Sequence, residues 1–305
     1  MIVGRARLSE AKRLGVLSTL LSSFFLGWAP ILGKLAYAGG ATAFTVVSFR
    51  TAAAALLLWV AFAILWRDQI PISWRDGVGC LAVGAVNGFG SLLYYSSLSR
   101  LDASRAALLN TLYPMWVVLF LFAAGQALTR LTLARLGLSM VGTYLLTRAG
   151  PGEVDLLGVT LMIASAATYG WHIVLGQWVL ADVPSRKATL YIVTTMACVV
   201  GLARGLQTEP LEPVTAVGWR AILALGLTTA LSRLAMFAGL EQLGGIETAL
   251  TSLLELLASL LLAFFLLGER LTLGQWLGGA LLVISLALMT RDRGARLAKG
   301  RESLE

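Results

Sequence analysis

The sequence predicts an all-α, polytopic membrane protein of ten transmembrane helices, arranged as two inverted five-helix repeats. Three observations lead to this fold. Of the 305 residues, 58% are hydrophobic and only 13% are charged, whereas soluble proteins carry about 25% charged residues. The apolar residues form runs of about 20, the length that crosses a hydrocarbon core. A polar-interrupted apolar motif also recurs at half the length of the chain.

The predicted spans are joined by short loops, none of which is long enough for a soluble domain. They cover residues 14–36, 43–66, 76–98, 104–124, 131–147, 156–180, 188–204, 219–240, 246–267 and 272–290. We therefore divide the chain into a first five-helix repeat, residues 1–150, and a second, residues 151–305, which ends in a cytoplasmic tail.

The repeat rests on several blocks that recur in the same order, at a nearly constant offset of half the chain. Ser22 to Gly33 and Ser165 to Gly176 both read S-x4-G-W-x3-L-G. Leu98 recurs as Leu240, and Gly125-x-x-Leu128-Thr129 recurs as Gly268-x-x-Leu271-Thr272. Because each unit holds an odd number of spans, the second unit enters the membrane in the opposite orientation. Inverted repeats of this kind are a common basis of alternating access.

The charge distribution predicts that both termini are cytoplasmic. With the N-terminus inside, fifteen Lys and Arg residues fall on the cytoplasmic side and six on the other side. This bias over short loops is the positive-inside pattern. The net charge of +8 therefore reports membrane topology and does not indicate a nucleic-acid partner.

Four ionisable side chains lie well within predicted spans, where a charge costs about 2.5–3.5 kcal/mol. Lys34 is near a span end and is expected to extend toward the interface. For Arg50, hydrogen bonds to backbone carbonyls are favoured over a substrate contact. Arg233 and Glu255 lie at equal distances on either side of a turn near Gly244, so they have similar depth. Either they form a structural ion pair, or they lie on two sides of a substrate path. In the second case Arg233 would bind a carboxylate, and Glu255 would bind an ammonium group or carry a proton.

Two tryptophans occupy equivalent positions in the repeated motif, Trp28 and Trp171, near the middle of their spans. Tryptophan is routine at membrane interfaces, but not at this depth. Either the two rings line one cavity and bind substrate, or they pack helices beside Gly27 and Gly170. His172, the only histidine, is either a core residue or a substrate-binding group beside Trp171.

A polar face is predicted on the third span. Asn87, Ser91, Tyr94 and Tyr95 follow i, i+4, i+7, i+8 spacing and therefore share one side of a helix. Such a stripe should face protein or water and not lipid. We interpret these side chains as candidate substrate-binding groups; hydrogen bonding between helices without a substrate role is the alternative.

Proline residues interrupt two predicted spans: Pro30 in the first and Pro114 in the fourth. Each is expected to kink its helix and to free backbone carbonyls where the gap lines a cavity. Pro114 follows Asn110 and Tyr113, which add polar groups at depth. Tyr113 is a further candidate substrate-binding residue.

Together these residues resemble the EamA-type branch of the drug/metabolite transporter superfamily. The features that carry the resemblance are Trp28 with Lys34, Arg50, Tyr94-Tyr95, Pro114 and Gly268-Glu269-Arg270-Leu271-Thr272. The resemblance implies ten helices and export of small metabolites across the bacterial inner membrane, and the pattern is most similar to bacterial amino-acid exporters. The sequence departs from it at Gly125-Gln126, where a Gly-Glu pair is usual.

We therefore expect a secondary transporter that exports small metabolites, above all neutral or aromatic amino acids, by alternating access. Export of cationic drugs or of another metabolite is the alternative, and for a cationic drug Glu255 is the one candidate acid. An intramembrane enzyme is disfavoured, because no H-E-x-x-H, G-x-S-x-G or Walker motif occurs. No cofactor or metal is expected. The expected partners are a small-molecule substrate and the lipid bilayer, with no nucleic acid, and the chain is a monomer or a weak homodimer.

Overall fold

The computed structural model describes residues 2–125, 155–207, 211–244 and 253–281, with shorter pieces at 134, 137–138, 140–142, 144–145, 248 and 283–284. Every regular element in this described part is helical. The helices are α1 (Ile2–Gly27), α2 (Ala29–Ala38), α3 (Ala43–Leu65), α4 (Trp74–Leu98), α5 (Ala103–Asn110), α6 (Tyr113–Ala123), α7 (Leu156–Val179), α8 (Ser185–Gly205), α9 (Ala216–Leu243) and α10 (Leu253–Leu262). A π-helical turn, Ala263–Leu267, extends α10.

Seven segments of the described part are long and apolar enough to cross a membrane. They are Arg13–Ala38, Ala43–Leu65, Trp74–Leu98, Ala103–Ala123, Leu156–Val179, Ser185–Gly205 and Ala216–Leu243. Each corresponds to one of the predicted spans. The predicted fifth span lies mostly outside the described residues, the ninth is a shorter apolar helix, Leu254–Leu267, and the tenth is helical at 273–281. The described part of the chain is all-helical, and the protein is a multi-pass membrane protein.

Four of the spans begin at a side chain that caps the helix. Thr42, Ser73, Asp155 and Thr215 each accept a hydrogen bond from the backbone N–H three residues later. These caps satisfy N–H groups that have no partner within the helix. The polar residues just before the apolar runs thus determine where α3, α4, α7 and α9 begin.

Two of the spans are broken in the middle. The first is interrupted at Trp28, between α1 and α2, and the fourth at residues 111–112, between α5 and α6. Pro30 and Pro114 lie just after the two breaks, as the predicted kinks required, because proline has no N–H and disrupts the preceding turn. At the first break the carbonyl of Gly27 accepts a hydrogen bond of 3.0 Å from the hydroxyl of Ser259 on α10.

Equivalent residues of the two halves make equivalent contacts. Ser22 on α1 donates to the carbonyl of Ser232 on α9 at 2.9 Å, and Ser165 on α7 donates to the carbonyl of Gly90 on α4 at 3.0 Å. Ser22 and Ser165 both open the repeated motif, and Gly90 and Ser232 are related by nearly the same offset along the chain. The pair α1–α9 is therefore packed like the pair α7–α4.

The glycines of the repeated motif also make equivalent contacts in the two halves. A Cβ atom on Gly27 would lie 2.6 Å from Cβ of Ala258, and one on Gly170 would lie 2.9 Å from Cβ of Trp116. Both distances are too short for a real side chain, so glycine permits the close helix crossing. Because Trp116 and Ala258 are themselves related by the offset of the repeat, the two crossings are again equivalent. Each half thus contacts the other through equivalent residues, so that the two halves have a pseudo-twofold relationship.

The small-residue motif on α4 also serves packing within the chain. A Cβ on Gly84 would lie 2.6 Å from the carbonyl oxygen of Ile192, and one on Gly88 would lie 3.0 Å from Cβ of Val199. Both neighbours belong to α8. This face of α4 is therefore occupied inside the protomer.

Glu269, in the segment that follows the π-helical turn, joins the second half to the first. Its carboxylate accepts hydrogen bonds from the N–H groups of Ala103 at 2.9 Å and Ser104 at 2.8 Å, at the N-terminus of α5. Lys34 on α2, which is partly exposed, lies within electrostatic range of Asp102 and Glu269. An acid–helix contact therefore ties the two halves together at this end of the bundle.

Candidate functional site

A cavity lies between the two halves, where the broken first span faces α4 and α9. Its empty space, including the part open to solvent, is about 530 Å³. It is lined by Leu26, Ala29, Arg50, Asn87, Gly90, Ser91, Tyr94, Tyr95, Asn110, Ser165, Tyr169, Arg233 and Glu255. Both halves of the chain contribute to this wall.

Arg50 on α3 is held by side chains from both halves. It donates to the hydroxyl of Thr229 on α9 at 2.9 Å and to the hydroxyl of Ser91 on α4. Its guanidinium carbon lies 4.5 Å from the ring centroid of Tyr95, a cation–π contact. The partners of Arg50 are thus side chains, not the backbone carbonyls expected from the sequence, and this arginine belongs to the cavity wall.

Arg233 on α9 reaches across to α4. It donates from Nη2 to Oδ1 of Asn87 at 3.2 Å, and its guanidinium carbon lies 5.3 Å from the ring centroid of Tyr169. Nε of Arg233 is buried without a hydrogen-bond partner in the described part, and so is Nε of Arg50. Both guanidinium groups therefore retain unused donor capacity beside the cavity.

Arg233 and Glu255 line the same cavity but do not form a direct ion pair. No oxygen of Glu255 lies within 4.0 Å of a nitrogen of Arg233, although the two charges interact through space. Among the described residues, neither Arg50 nor Arg233 contacts a carboxylate. The structural ion pair considered from the sequence is absent from this arrangement, and the described lining of the cavity includes two arginines and one acid.

The polar residues of this cavity occupy equivalent positions in the two repeats. Asn87 in the first repeat corresponds to Thr229 in the second, and Ser91 corresponds to Arg233 at the same offset. Arg50 bonds to one residue of each pair, Ser91 and Thr229. The polar cluster therefore lies where the two repeats meet, and its charges break the symmetry between them.

Six of the ten residues that the sequence suggested come together here: Asn87, Ser91, Tyr94, Tyr95, Arg233 and Glu255. Tyr113 is just outside this wall, where its ring meets that of Tyr169 with centroids 4.8 Å apart. It lines a smaller cavity that shares Tyr94, Asn110 and Glu255 with the first.

His172 and the two central tryptophans are separate from the cavity lining. His172 is fully buried, with Nδ1 3.3 Å from the carbonyl oxygen of Val83, and it stacks against the ring of Tyr169. Trp171 lines an apolar groove with the exposed side chains of Phe89 and Trp178. Trp28 lies at the break in the first span. The substrate-binding roles of Trp28, Trp171 and His172 stay predictions.

From the sequence, Arg50 was disfavoured as a substrate contact, and Ser165 and Tyr169 were not predicted as cavity residues. The spacing of Ser165 and Tyr169 was a usable signal, because residues four apart lie on the same face of a helix. Arg50 carried no such signal, since its partners lie on other helices. In the described part of the chain, no three His, Cys, Asp or Glu side chains come close enough to hold a metal ion.

Two stretches of the chain, residues 13–148 and 156–291, each match the EamA-like transporter family. The chain belongs to this family. Each match covers one half, so this EamA-like protein contains two EamA repeats, and it is a membrane transporter of the drug/metabolite transporter superfamily.

The EamA-like protein is similar to the uncharacterized transporter YcbK of Bacillus subtilis, at 24% identity over 87% of this chain and 88% of that protein. It is also similar to the uncharacterized inner membrane transporter YicL of Salmonella typhimurium, at 25% identity over 79% and 84% of the two chains. A crystal structure that is 20% identical superposes with a TM-score of 0.65, covering 92% of this chain and 96% of that chain. The structural likeness establishes a shared fold.

Proposed function

We propose that this EamA-like protein is a secondary transporter that exports neutral or aromatic amino acids by alternating access through the central cavity. The observation that carries the proposal is the charge pattern of the wall: two guanidinium groups that contact no carboxylate among the described residues, with Glu255 in the same cavity. A zwitterion with an apolar side chain matches this pattern.

The wall offers a partner for each part of such a substrate. Arg50 and Arg233 can receive the carboxylate, because guanidinium groups bind carboxylates with strong, charge-assisted hydrogen bonds. Glu255 can receive the ammonium group. The rings of Tyr94, Tyr95 and Tyr169 supply aromatic surface for an apolar side chain.

The equivalent packing of the two halves supports the transport mechanism. Residues 1–150 and 151–305 form the two five-helix repeats of this proposal, with ten transmembrane helices in total. Because five is odd, the repeats are inverted, and the pseudo-twofold axis lies in the plane of the membrane. Two similar halves then exchange roles as the cavity opens first to one side and then to the other.

The membrane and assembly form part of the same proposal. The protein lies in the bacterial inner membrane with both termini in the cytoplasm, as the positive-inside pattern indicates. It acts as a monomer or a weak homodimer, without a cofactor, and it is not an enzyme.

Export of cationic drugs is the second candidate, and Glu255 beside tyrosine rings is the observation that favours it. Two arginines in the same wall oppose it, because an organic cation would meet two like charges in a medium of low dielectric constant. We therefore rank amino acids first.

Counterflow in proteoliposomes tests this choice. Liposomes that contain the purified protein are loaded with an unlabelled compound, and uptake of the labelled compound is measured beside protein-free liposomes. The panel holds phenylalanine, leucine, 3-phenylpropionate and a cationic dye. Accumulation of phenylalanine or leucine, above that of the other two, supports the proposal; accumulation of the dye alone overturns it in favour of drug export.

A further inference from the structure

Two proline residues lack the N–H groups that would otherwise donate hydrogen bonds to the carbonyls of two cavity-lining residues. In a regular helix, the N–H of residue 30 would bond the carbonyl of Leu26, and that of residue 114 would bond the carbonyl of Asn110. Pro30 and Pro114 have no N–H to donate. Leu26 and Asn110 both line the cavity. The breaks in the first and fourth spans thus leave the carbonyl oxygens of two cavity-lining residues without their usual helical partners.

Glu255 lies beside both breaks. A Cβ atom on Gly27 would be 3.3 Å from the backbone oxygen of Glu255, so α10 touches the first break directly. One turn further along α10, Ser259 bonds the carbonyl of Gly27 at 3.0 Å. Toward the second break, Glu255 and Asn110 line both the main cavity and the smaller cavity that adjoins it.

The carboxylate of Glu255 has no direct partner in the described part of the chain. It makes no hydrogen bond there, and Arg233 acts on it only through space. An acid at this depth is costly unless a positive group matches it. Carboxylate and carbonyl oxygens accept hydrogen bonds and do not donate them. The three groups together therefore suit a ligand that is positive and compact.

We infer that Glu255, with the carbonyl oxygens of Leu26 and Asn110, forms a cation subsite within the transport cavity. Its ligand is a compact cation that takes oxygen partners, either the primary ammonium group of the substrate or Na⁺. An ammonium group brings donors and no acceptor, and unwound helix carbonyls coordinate Na⁺ in other transporters. The inference rests on the proposed function for the place of the cavity in transport, but binding at the subsite can be measured without transport.

Binding to the purified protein in detergent tests the subsite, with calorimetry as the readout. The probes are 2-phenylethylamine, which has an ammonium group and no carboxylate, and 3-phenylpropionate, which has the reverse. We expect Glu255→Gln to weaken 2-phenylethylamine binding about tenfold or more, as for loss of a charged hydrogen bond. It should not weaken binding of 3-phenylpropionate. Glu241→Gln, which removes an acid outside the cavity, is the matched control and should bind both probes as the wild type does.

A second arm distinguishes the source of the cation. Melting temperatures are compared in NaCl and in N-methyl-D-glucamine chloride at equal ionic strength. If Na⁺ is the ligand, it raises the melting temperature of the wild type and of Glu241→Gln, but not of Glu255→Gln. If the substrate ammonium is the ligand, the two salts are equivalent and the dependence on Glu255 appears with 2-phenylethylamine.

The carbonyl groups are tested by Pro114→Ala, which returns a donor to the carbonyl of Asn110. This variant should weaken binding of the cation that the wild type recognises, whereas Pro184→Ala, at the start of α8, should not. Glu255→Asp, expected to bind the cation more weakly than the wild type, replaces Glu255→Gln if that variant does not fold.

Absence of any Glu255-dependent binding of 2-phenylethylamine or Na⁺ overturns the inference. A wild type that binds one of them through Glu255, but fails to exchange amino acids in liposomes, overturns the proposed function and leaves the cation subsite standing.

Discussion

Arg233 on α9 donates a hydrogen bond from Nη2 to Oδ1 of Asn87 on α4, over 3.2 Å. The bond connects the two repeats at the wall of the central cavity. Because Asn87 is neutral, it positions the guanidinium without cancelling its charge. The positive charge therefore remains available to an anionic group.

Replacing Asn87 with an acid should give Arg233 an ion-pair partner within the protein. We expect Asn87→Asp to raise the KM for amino-acid exchange about tenfold, because an ion pair with Arg233 competes with the substrate carboxylate. Initial rates in proteoliposomes over a range of substrate concentrations give the KM. Asn87→Ser, which keeps a neutral acceptor, is the control. An unchanged KM in Asn87→Asp would exclude Arg233 as the carboxylate partner.

Much of this wall is predictable from helix periodicity alone. Their spacing predicts that Asn87, Ser91, Tyr94 and Tyr95 share one face of a helix, and the structure brings all four to the cavity. Equal distance from a turn likewise gave Arg233 and the acid on α10 similar depth. Residue spacing and distance from a shared turn are enough to predict these positions, because each depends on a single helix or on two directly connected helices.

It is harder to predict which side of a helix faces the cavity when the neighbouring helices are distant in sequence. The repeat predicts equivalent positions for Trp28 and Trp171, but equivalence does not say which way a ring points. Tyr169 precedes Trp171 by two residues, and two residues turn a helix by about 200°. The cavity therefore meets Tyr169, while Trp171 lies along a different groove. Arg50 illustrates the same limit, since its partners come from two other helices.

Replacing each of two aromatic residues on α7, Tyr169 and Trp171, with alanine should show which of them contacts the substrate. We expect Tyr169→Ala to lower the affinity for phenylalanine, because it removes aromatic surface from the cavity, and Trp171→Ala to leave the affinity for phenylalanine unchanged. Competition of unlabelled phenylalanine against labelled phenylalanine in counterflow gives both values. Loss of affinity in Trp171→Ala with none in Tyr169→Ala would restore the tryptophan as the substrate contact.

The contact of Glu269 with α5 should stabilise the fold. Glu269→Ala removes the acceptor for the N–H groups of Ala103 and Ser104, and a helix N-terminal contact of this kind contributes about 1 kcal/mol. We expect a lower melting temperature in detergent for Glu269→Ala, with Glu269→Gln in between because it keeps a neutral acceptor. Asp68→Asn, which changes an exposed acid, serves as the control. Equal melting temperatures for all four proteins would show that the contact adds no stability.

Asp155 should make the stability of α7 depend on pH. The N–H of Gly158 donates to its carboxylate at 2.8 Å and holds the pKa of Asp155 below its usual value of 3.8, and Arg100 adds to the effect. Since the pKa is lowered by folding, the stabilisation is fully present above 3.8 and disappears as the pH falls through the lower pKa of the folded protein.

Melting curves over a pH series measure this contribution. Asp155→Ala should melt below the wild type at neutral pH, and the difference should shrink at acid pH. Asp155→Asn keeps a capping side chain without a charge, so its difference from Asp155→Ala should stay constant with pH. A constant difference between the wild type and Asp155→Ala across the series would contradict the prediction.

Arg50 and Arg233 contact no carboxylate among the described residues, and we propose that they bind the carboxylate of an exported amino acid. The most direct test is counterflow of labelled phenylalanine with Arg50→Gln and Arg233→Gln, beside Arg220→Gln, whose exposed arginine lies outside the cavity. We predict that each cavity variant loses exchange about tenfold or more, as expected for loss of a charged hydrogen bond, while Arg220→Gln exchanges like the wild type. Wild-type exchange by folded Arg50→Gln and Arg233→Gln would contradict the claim.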